Sequence, residues 1–158
     1  MFTHSREEIK MSICFYGRIN KRCINEDLLE KFIADFFAPS NEVVKQRNKG
    51  SVKFEGFSDD DKIVMSFVNE KKPPYNVYDS NIIGSEYEYI QLIIFDVNKI
   101  ESTIDTYKEI INFCIYIRKR IEGDILITSD VYDDICLLKK QEKIWPENPS
   151  PMFKSTWF

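Results

Sequence analysis

The sequence predicts an α+β domain in which a largely antiparallel sheet carries two helices on one face. Three observations favour this class: two segments with apolar residues at helical spacing, several short apolar or alternating segments, and hairpin-sized connections between most of them. The expected order is β-α-β-β-β-α-β-β, without the βαβ repetition of a parallel sheet. The 158 residues suit a single domain spanning 1–158, with a candidate loose tail after residue 146.

The first strand and the first helix have local sequence signals. Residues 13–19 are apolar and aromatic, which is typical of a buried strand. Asn25 is a suitable helix N-cap, and Glu26 and Asp27 follow it where the helix dipole favours acids. Pro39 is expected to end the helix. One face of this helix is apolar at three- and four-residue steps: Leu28, Leu29, Phe32, Ile33, Phe36 and Phe37.

A β-hairpin is predicted after the first helix. Residues 41–48 are expected to form another short helical turn. Apolar residues then alternate with other side chains over 52–55 and 63–68, and Ser58 with three consecutive aspartates lies between these two segments. That arrangement predicts two paired strands joined by an acidic turn.

A loop and a long strand are predicted next. Pro73 and Pro74 should end the preceding strand, because proline cannot donate a hydrogen bond to a β ladder. Residues 75–85 contain many turn formers and are expected to be a loop. Residues 86–95 are expected to form one long strand, with a second half that is apolar on both sides, as in a central strand.

The second helix has the strongest periodic pattern in the chain. Residues 102–105 resemble a capping box, and Gly123 stands where a C′ glycine is expected, after the basic residues at 118–120. The helix shows one apolar face: Tyr107, Ile110, Ile111, Cys114, Ile117 and Ile121. Two short strands are predicted to follow, at 125–128 and 135–138, and residues 144–145 are a candidate for a last short strand outside this order.

The charge of the chain opposes general nucleic-acid binding. With 26 acidic and 22 basic side chains the net charge is −4, whereas phosphate backbones require a basic surface. The excess acid is concentrated in residues 54–105, which carry 11 acidic and 4 basic side chains. A basic protein is therefore the expected partner, without direct contact to nucleic acid.

A cytoplasmic location without a membrane partner is expected. The first eight residues are polar and contain acids where a secretory signal needs an apolar segment, and no apolar segment approaches the length that crosses a bilayer. The four cysteines have no Cys-x-x-Cys spacing, and buried free thiols are the expected state: Cys14, Cys23, Cys114 and Cys136.

No catalytic residue, metal site or cofactor is predicted. His4 is the one histidine and lies near the N-terminus, so it is a poor general base for a Ser–His or Cys–His pair. The five glycines are scattered, which excludes a glycine-rich phosphate loop. The acidic segments at 59–61 and 130–134 are expected to be solvated turns. An enzyme that uses paired carboxylates or a bound metal remains an alternative.

The acidic middle of the chain also carries the candidate binding residues. Tyrosines offer rigid contact area with a polar tip, and neighbouring acids can pair with arginine or lysine of a partner. A long loop in a compact domain is often functional. The expected contact residues are Asp59, Asp60, Asp61, Tyr75, Tyr78, Asp79, Glu86 and Glu88.

The order of segments carries a resemblance to a known family. A strand at 89–95 and a long amphipathic helix at 104–121 are followed by Gly-Asp-Ile-Leu at 123–126 and a closing strand at 135–138. Together with the N-terminal strand–helix unit, this pattern resembles the small acidic cytoplasmic immunity proteins of bacterial polymorphic-toxin systems, including contact-dependent growth inhibition. The resemblance implies binding and neutralisation of one cognate toxin domain, expected to be a nuclease, and no catalysis. The second alternative is a phage or bacterial structural adaptor protein that self-associates.

Overall fold

The computed structural model describes residues 12–98 and 104–158. This part of the chain contains ten strands, two α-helices and two short 3-10 helices, Asp59–Asp61 and Ser155–Trp157. The strands are β1 Ser12–Ile19, β2 Val44–Asn48, β3 Ser51–Glu55, β4 Ile63–Val68, β5 Val77–Ser80, β6 Ser85–Glu88, β7 Gln91–Asn98, β8 Ile125–Ser129, β9 Asp133–Leu138 and β10 Lys143–Ile144. The helices are α1 Glu26–Phe37 and α2 Ile104–Arg118. The α+β class with two helices and a mainly antiparallel sheet is confirmed.

Eight strands form one antiparallel sheet in the order β10-β9-β8-β1-β7-β4-β3-β2. At its centre β1 pairs with β7 over its whole length and with β8 over its second half. Strands β5 and β6 form a separate two-stranded sheet. The large sheet therefore joins segments from the beginning, middle and end of the chain.

The two faces of the large sheet bury different clusters. On β7, Ile93, Phe95 and Val97 belong to the main core, while Leu92 and Ile94 belong to a second cluster, as strand alternation requires. Both helices pack against the main core, where the Phe113 ring lies 5.2 and 5.1 Å from the rings of two phenylalanines in α1. The helices thus lie on one face of the sheet.

Local signals explain α1. The Asn25 side chain accepts a hydrogen bond of 2.7 Å from the Leu28 backbone N–H, as an N-cap does. The helix ends at Phe37, and Ala38 takes a left-handed conformation before Pro39. The N-cap and the stop before Pro39 are confirmed. The first residues of the predicted capping box at 102–105 lie outside the described residues, and His4 also lies outside them.

Three sequence assignments were wrong because strand pairing, rather than local composition, decides the structure of these segments. Residues 44–48 form β2 rather than a helical turn, since a tight turn at Lys49 and Gly50 pairs them with β3. The predicted loop at 75–85 contains β5, and the predicted strand at 86–95 is two strands. The break lies at Tyr89 and Ile90, whose N–H groups donate to Asn76 and Ile19 carbonyls, so the chain moves from the small sheet to the large one.

Gly123 is not a helix cap. Helix α2 ends at Arg118, and the φ angle of Gly123 is not positive. Its role is close packing, because a Cβ atom there would lie 3.0 Å from Ile19 Cγ2 and 3.1 Å from Cys23 Sγ. The predicted C′ role of this glycine, and the predicted continuation of the helix to Ile121, were therefore wrong.

We expect Gly123→Ala to lower the free energy of unfolding by about 1–3 kcal/mol, because the new methyl group overpacks a tight contact. Denaturant titration measures this loss. Gly17→Ala is the control: its Cβ would meet neighbours only at 3.5 Å or more, and the residue also lies in a buried part of the sheet. Equal stabilities for the two variants would contradict the packing role of Gly123.

The segment after residue 146 contacts the core. Phe153 is 2 % exposed and its ring lies 5.1 Å from Tyr132 and 6.1 Å from Phe15. The Trp145 and Phe158 rings stack at 5.8 Å. Where the sequence allowed a loose tail, the structure places aromatic side chains against β1 and the loop before β9.

Candidate functional site

The β5–β6 hairpin lies over the sheet face opposite to the helices. Tyr78 is paired with Tyr87 and Asp79 with Glu86, and alternate residues of a strand point to opposite sides. Tyr78 and Tyr87 belong to the second apolar cluster with Leu92. The next cross-strand pair, Asp79 and Glu86, is exposed to solvent. The hairpin therefore has a tyrosine face toward the sheet and an acidic face toward solvent.

Buried polar contacts fix this hairpin to the sheet. Tyr87 is 7 % exposed. Its hydroxyl donates to the backbone carbonyl oxygens of Arg18 and Asp124, which lie 3.3 and 3.2 Å away. Burial raises the pKa of Tyr87 above its usual value, and Asp124 adds to this effect. At the hairpin turn, Ser80 Oγ donates to Asp134 Oδ2 over 2.6 Å. The hairpin is held at both ends.

Arg18 of β1 provides a third attachment. Its guanidinium carbon lies 4.3 Å from the Tyr78 ring centre and 5.0 Å from the ring centres of Tyr16 and Tyr89. Its Nη1 donates to the Tyr89 hydroxyl over 2.8 Å, and its Nε donates to Thr128 Oγ1. Burial raises the pKa of Tyr78 to about 12 and Asp134 contributes. Cation–π contacts thus connect β1 to the underside of the hairpin.

We expect Arg18→Met to weaken the attachment of the hairpin by about 1–2 kcal/mol, since it removes the cation–π contacts and the bond to Tyr89. Hydrogen exchange of the β5 and β6 amides should become faster than that of the β7 amides. Arg22→Met is the control, because within the described residues Arg22 forms a half-exposed ion pair with Glu70 at 3.2 Å, which contributes little to stability. Unchanged exchange in the hairpin of Arg18→Met would show that Arg18 does not hold it.

The solvent side of the hairpin is an acidic hairpin face formed by Asp79, Glu86 and Glu88. All three side chains are exposed, and none forms an ion pair within the described residues. Asp79 and Glu86 are directly opposite each other, an arrangement of like charges that destabilises a sheet. Tyr75 is 73 % exposed and lies just before the hairpin. These features combine an unneutralised acidic surface with a free aromatic ring.

The predicted contact residues do not form one surface. Tyr75, Asp79, Glu86 and Glu88 lie on or beside the acidic hairpin face, but Tyr78 is turned toward the sheet and half-buried. The remaining predicted residues, Asp59, Asp60 and Asp61, lie in the turn between β3 and β4, on the helix side.

The Asp59–Asp61 turn borders a different cleft. This cleft has a volume of about 420 Å³, and Phe37, Phe57, Asp105 and Glu109 also line it. Burial raises the pKa of Glu109, and Asp59 adds to this shift. Asp60 and Asp61 have positive φ angles, and Asp61 Oδ1 accepts a hydrogen bond from the Gly56 N–H. The aspartates therefore shape the turn.

Sequence reasoning missed Arg18 and Asp134 as the residues that position the site. Asp134 is 6 % exposed rather than solvated, and Asp130 Oδ1 accepts from the Cys14 N–H, so this turn also has structural partners. An arginine inside an apolar strand was the available signal, because a charge in such a strand needs partners. The facing pair of Asp79 and Glu86 could not be identified before the hairpin register was known.

The described residues were compared with the groupings that hold metal ions and with reactive thiols. Across 12–98 and 104–158, no group of three or more His, Cys, Asp or Glu side chains is arranged to hold a metal ion. None of the four cysteines forms a disulfide within the described residues. Cys114 and Cys136 are buried as predicted, but the prediction was wrong for Cys14 and Cys23, which are only partly buried. Burial raises the pKa of Cys136 to about 12 and raises that of Cys114 still further, so both thiols stay protonated and unreactive at neutral pH.

Comparison with protein-family models, with curated proteins and with solved structures gave no match. Among the described helices, neither is long and apolar enough to cross a membrane.

Proposed function

We propose that this protein binds a basic protein through the acidic hairpin face and neutralises it, as an immunity protein neutralises its cognate toxin. The observation that carries the proposal is the pair formed by Asp79 and Glu86, with Glu88 on the same side of the hairpin and no cation paired to any of them in the described part of the chain. The proposed partner is a toxin domain with nuclease activity.

The charge arrangement supports a basic partner. A like-charge pair across two strands costs about 0.2–1 kcal/mol, and lysine or arginine side chains of a partner remove this repulsion on binding. Complementary charge also accelerates encounter and excludes wrong partners. A nuclease needs a basic surface for the phosphates of its substrate, so it matches the acidic hairpin face in sign.

The rigidity of the hairpin supports binding as well. Tyr87, Ser80 and Arg18 fix the hairpin from behind, so little conformational entropy is lost when its outer side is covered. A stable interface buries about 800 Å² on each partner, which is more than one side of a hairpin with two four-residue strands provides. The interface therefore extends to Tyr75, whose exposed ring offers an aromatic anchor.

The test uses the product of the gene immediately upstream, whose C-terminal domain is the expected toxin. We expect a 1:1 complex by calorimetry, an affinity that falls with added salt, and loss of the toxin's nuclease activity in the complex. Co-expression should restore growth of cells that produce the toxin domain. An upstream product that is not toxic, or a toxic one that neither binds nor is inhibited, would overturn the proposal.

A further inference from the structure

A cluster of basic side chains lies where α2 ends, in an otherwise acidic protein. It lines a pocket of about 250 Å³ whose apolar part is formed by Ile115 and Leu138. We name this the basic pocket, after its five cationic residues: Arg118, Lys119, Lys139, Lys140 and Lys143. Glu142 is the one acidic residue among those that line it in the described structure.

The fold brings these cations together from two segments. Strand β10 pairs with β9, and the Lys139 N–H donates to the Glu142 carbonyl over 2.9 Å, which closes a tight turn. This turn and the start of β10 place their lysines beside Arg118, the last residue of α2, and Lys119, which follows it. The carbonyl end of a helix attracts cations and so accounts for the helical residues. It does not account for Lys139 and Lys140 of the turn or for Lys143 of β10.

Arg118 forms a fixed charged wall. The residue is 6 % exposed, and it donates to the Ile121 carbonyl over 2.9 Å and to Asp124 Oδ1 over 3.0 Å. Its Nε is buried without a hydrogen-bond partner among the described residues. Because Asp124 pairs with its guanidinium and its Nε is shielded, Arg118 forms part of the pocket wall, and the net positive charge comes from the lysines.

The four lysines are not neutralised by the protein. They are exposed, and no ion pair joins any of them to a carboxylate within residues 12–98 and 104–158. Lysine binds phosphate as a mobile point charge, without the fixed geometry that arginine requires. A dianion enclosed by several ammonium groups relieves their mutual repulsion more than a single carboxylate does.

We propose that the basic pocket binds the phosphate group of a small phosphomonoester or free phosphate. The pocket is smaller than the about 300–1,000 Å³ of sites for drug-sized ligands, so it suits one phosphate with a small substituent. This proposal goes beyond the neutralising function and does not rest on it, because the basic pocket shares no residue with the acidic hairpin face.

The test is an NMR titration of the full chain at low ionic strength with two probes, inorganic phosphate and ribose 5-phosphate. We expect saturable shifts of the backbone amides at 118–119 and 139–143. Tighter binding of ribose 5-phosphate identifies a phosphomonoester site, and equal or weaker binding identifies a site for the phosphate group alone. The absence of saturable shifts with either probe would overturn the proposal.

Variants separate a defined site from general attraction. We expect Lys139→Gln with Lys140→Gln to weaken binding of the better probe by about tenfold. The matched control, Lys31→Gln with Lys49→Gln, removes the same charge at exposed positions outside the pocket and should change the affinity by less than about twofold. The four substituted lysines of the two variants are all exposed, so both variants should fold. Thermal melting verifies this. Equal weakening by both pairs would overturn the proposal.

Discussion

Replacing Asp79, Glu86 and Glu88 together by lysine is expected to weaken binding of the toxin domain by at least about 100-fold and to abolish neutralisation. Each substitution turns an attraction to a basic partner into a repulsion at the centre of the proposed interface. The three side chains are exposed and project away from the sheet, so the domain should keep its fold. Calorimetry with the toxin domain and a growth-rescue assay measure the two effects.

The matched control reverses Asp59, Asp60 and Asp61. It makes the same change in net charge on the helix side of the sheet, away from the hairpin. We expect it to lower the affinity by less than about fivefold at physiological salt, because distant exposed charges are screened. If this control weakens binding as much as the hairpin variant does, the interface is not the acidic hairpin face and the turn at 59–61 becomes the better candidate.

Gln91→Met is expected to lower the free energy of unfolding by about 3 kcal/mol. Gln91 is fully buried at the start of β7, and its Oε1 accepts hydrogen bonds from the Cys23 and Ile24 N–H groups over 2.9 and 3.1 Å. Its Nε2 donates to the Ile24 carbonyl over 2.7 Å and to Asn69 Oδ1 over 2.8 Å. Methionine fills the space but leaves these backbone groups unpaired inside the protein.

Urea unfolding measures this loss, and Gln46→Met is the control. Gln46 is exposed on the edge strand β2, so the same substitution should change stability by less than about 0.5 kcal/mol there. Similar unfolding midpoints for the two variants would show that the segment before α1 is held by apolar packing rather than by the amide of Gln91.

The sequence predicted the elements that local signals determine. Asn25 caps α1 because its side chain reaches an N–H three residues away, and the apolar periodicity of α2 follows from its contact with the sheet. The hairpin residues have no such local signal. Tyr87 and Ser80 are held by partners 37 to 69 positions distant, and a segment that depends on distant partners resembles a loop when it is considered alone.

The same reason limits the prediction of the site. The exposure of Asp79, Glu86 and Asp59 follows from their charge, and it was predicted. Their positions on opposite sides of the sheet depend on which strands the chain connects and on which face each connection runs. The amino-acid composition does not determine these connections. Arg18 and Gln91 were missed because each acts through buried contacts with residues about 70 positions away along the chain.

The central position of β1 has a consequence for the order of folding. Ser12 pairs with Asn98 and Phe15 pairs with Ser129, so both edges of β1 wait for segments synthesised much later. Loops of this length make pairing slow, and an unpaired apolar strand can associate with other chains in the meantime. On the ribosome, the sheet closes around β1 only after β8 has emerged, and until then at least one edge of this strand is open to association with other chains.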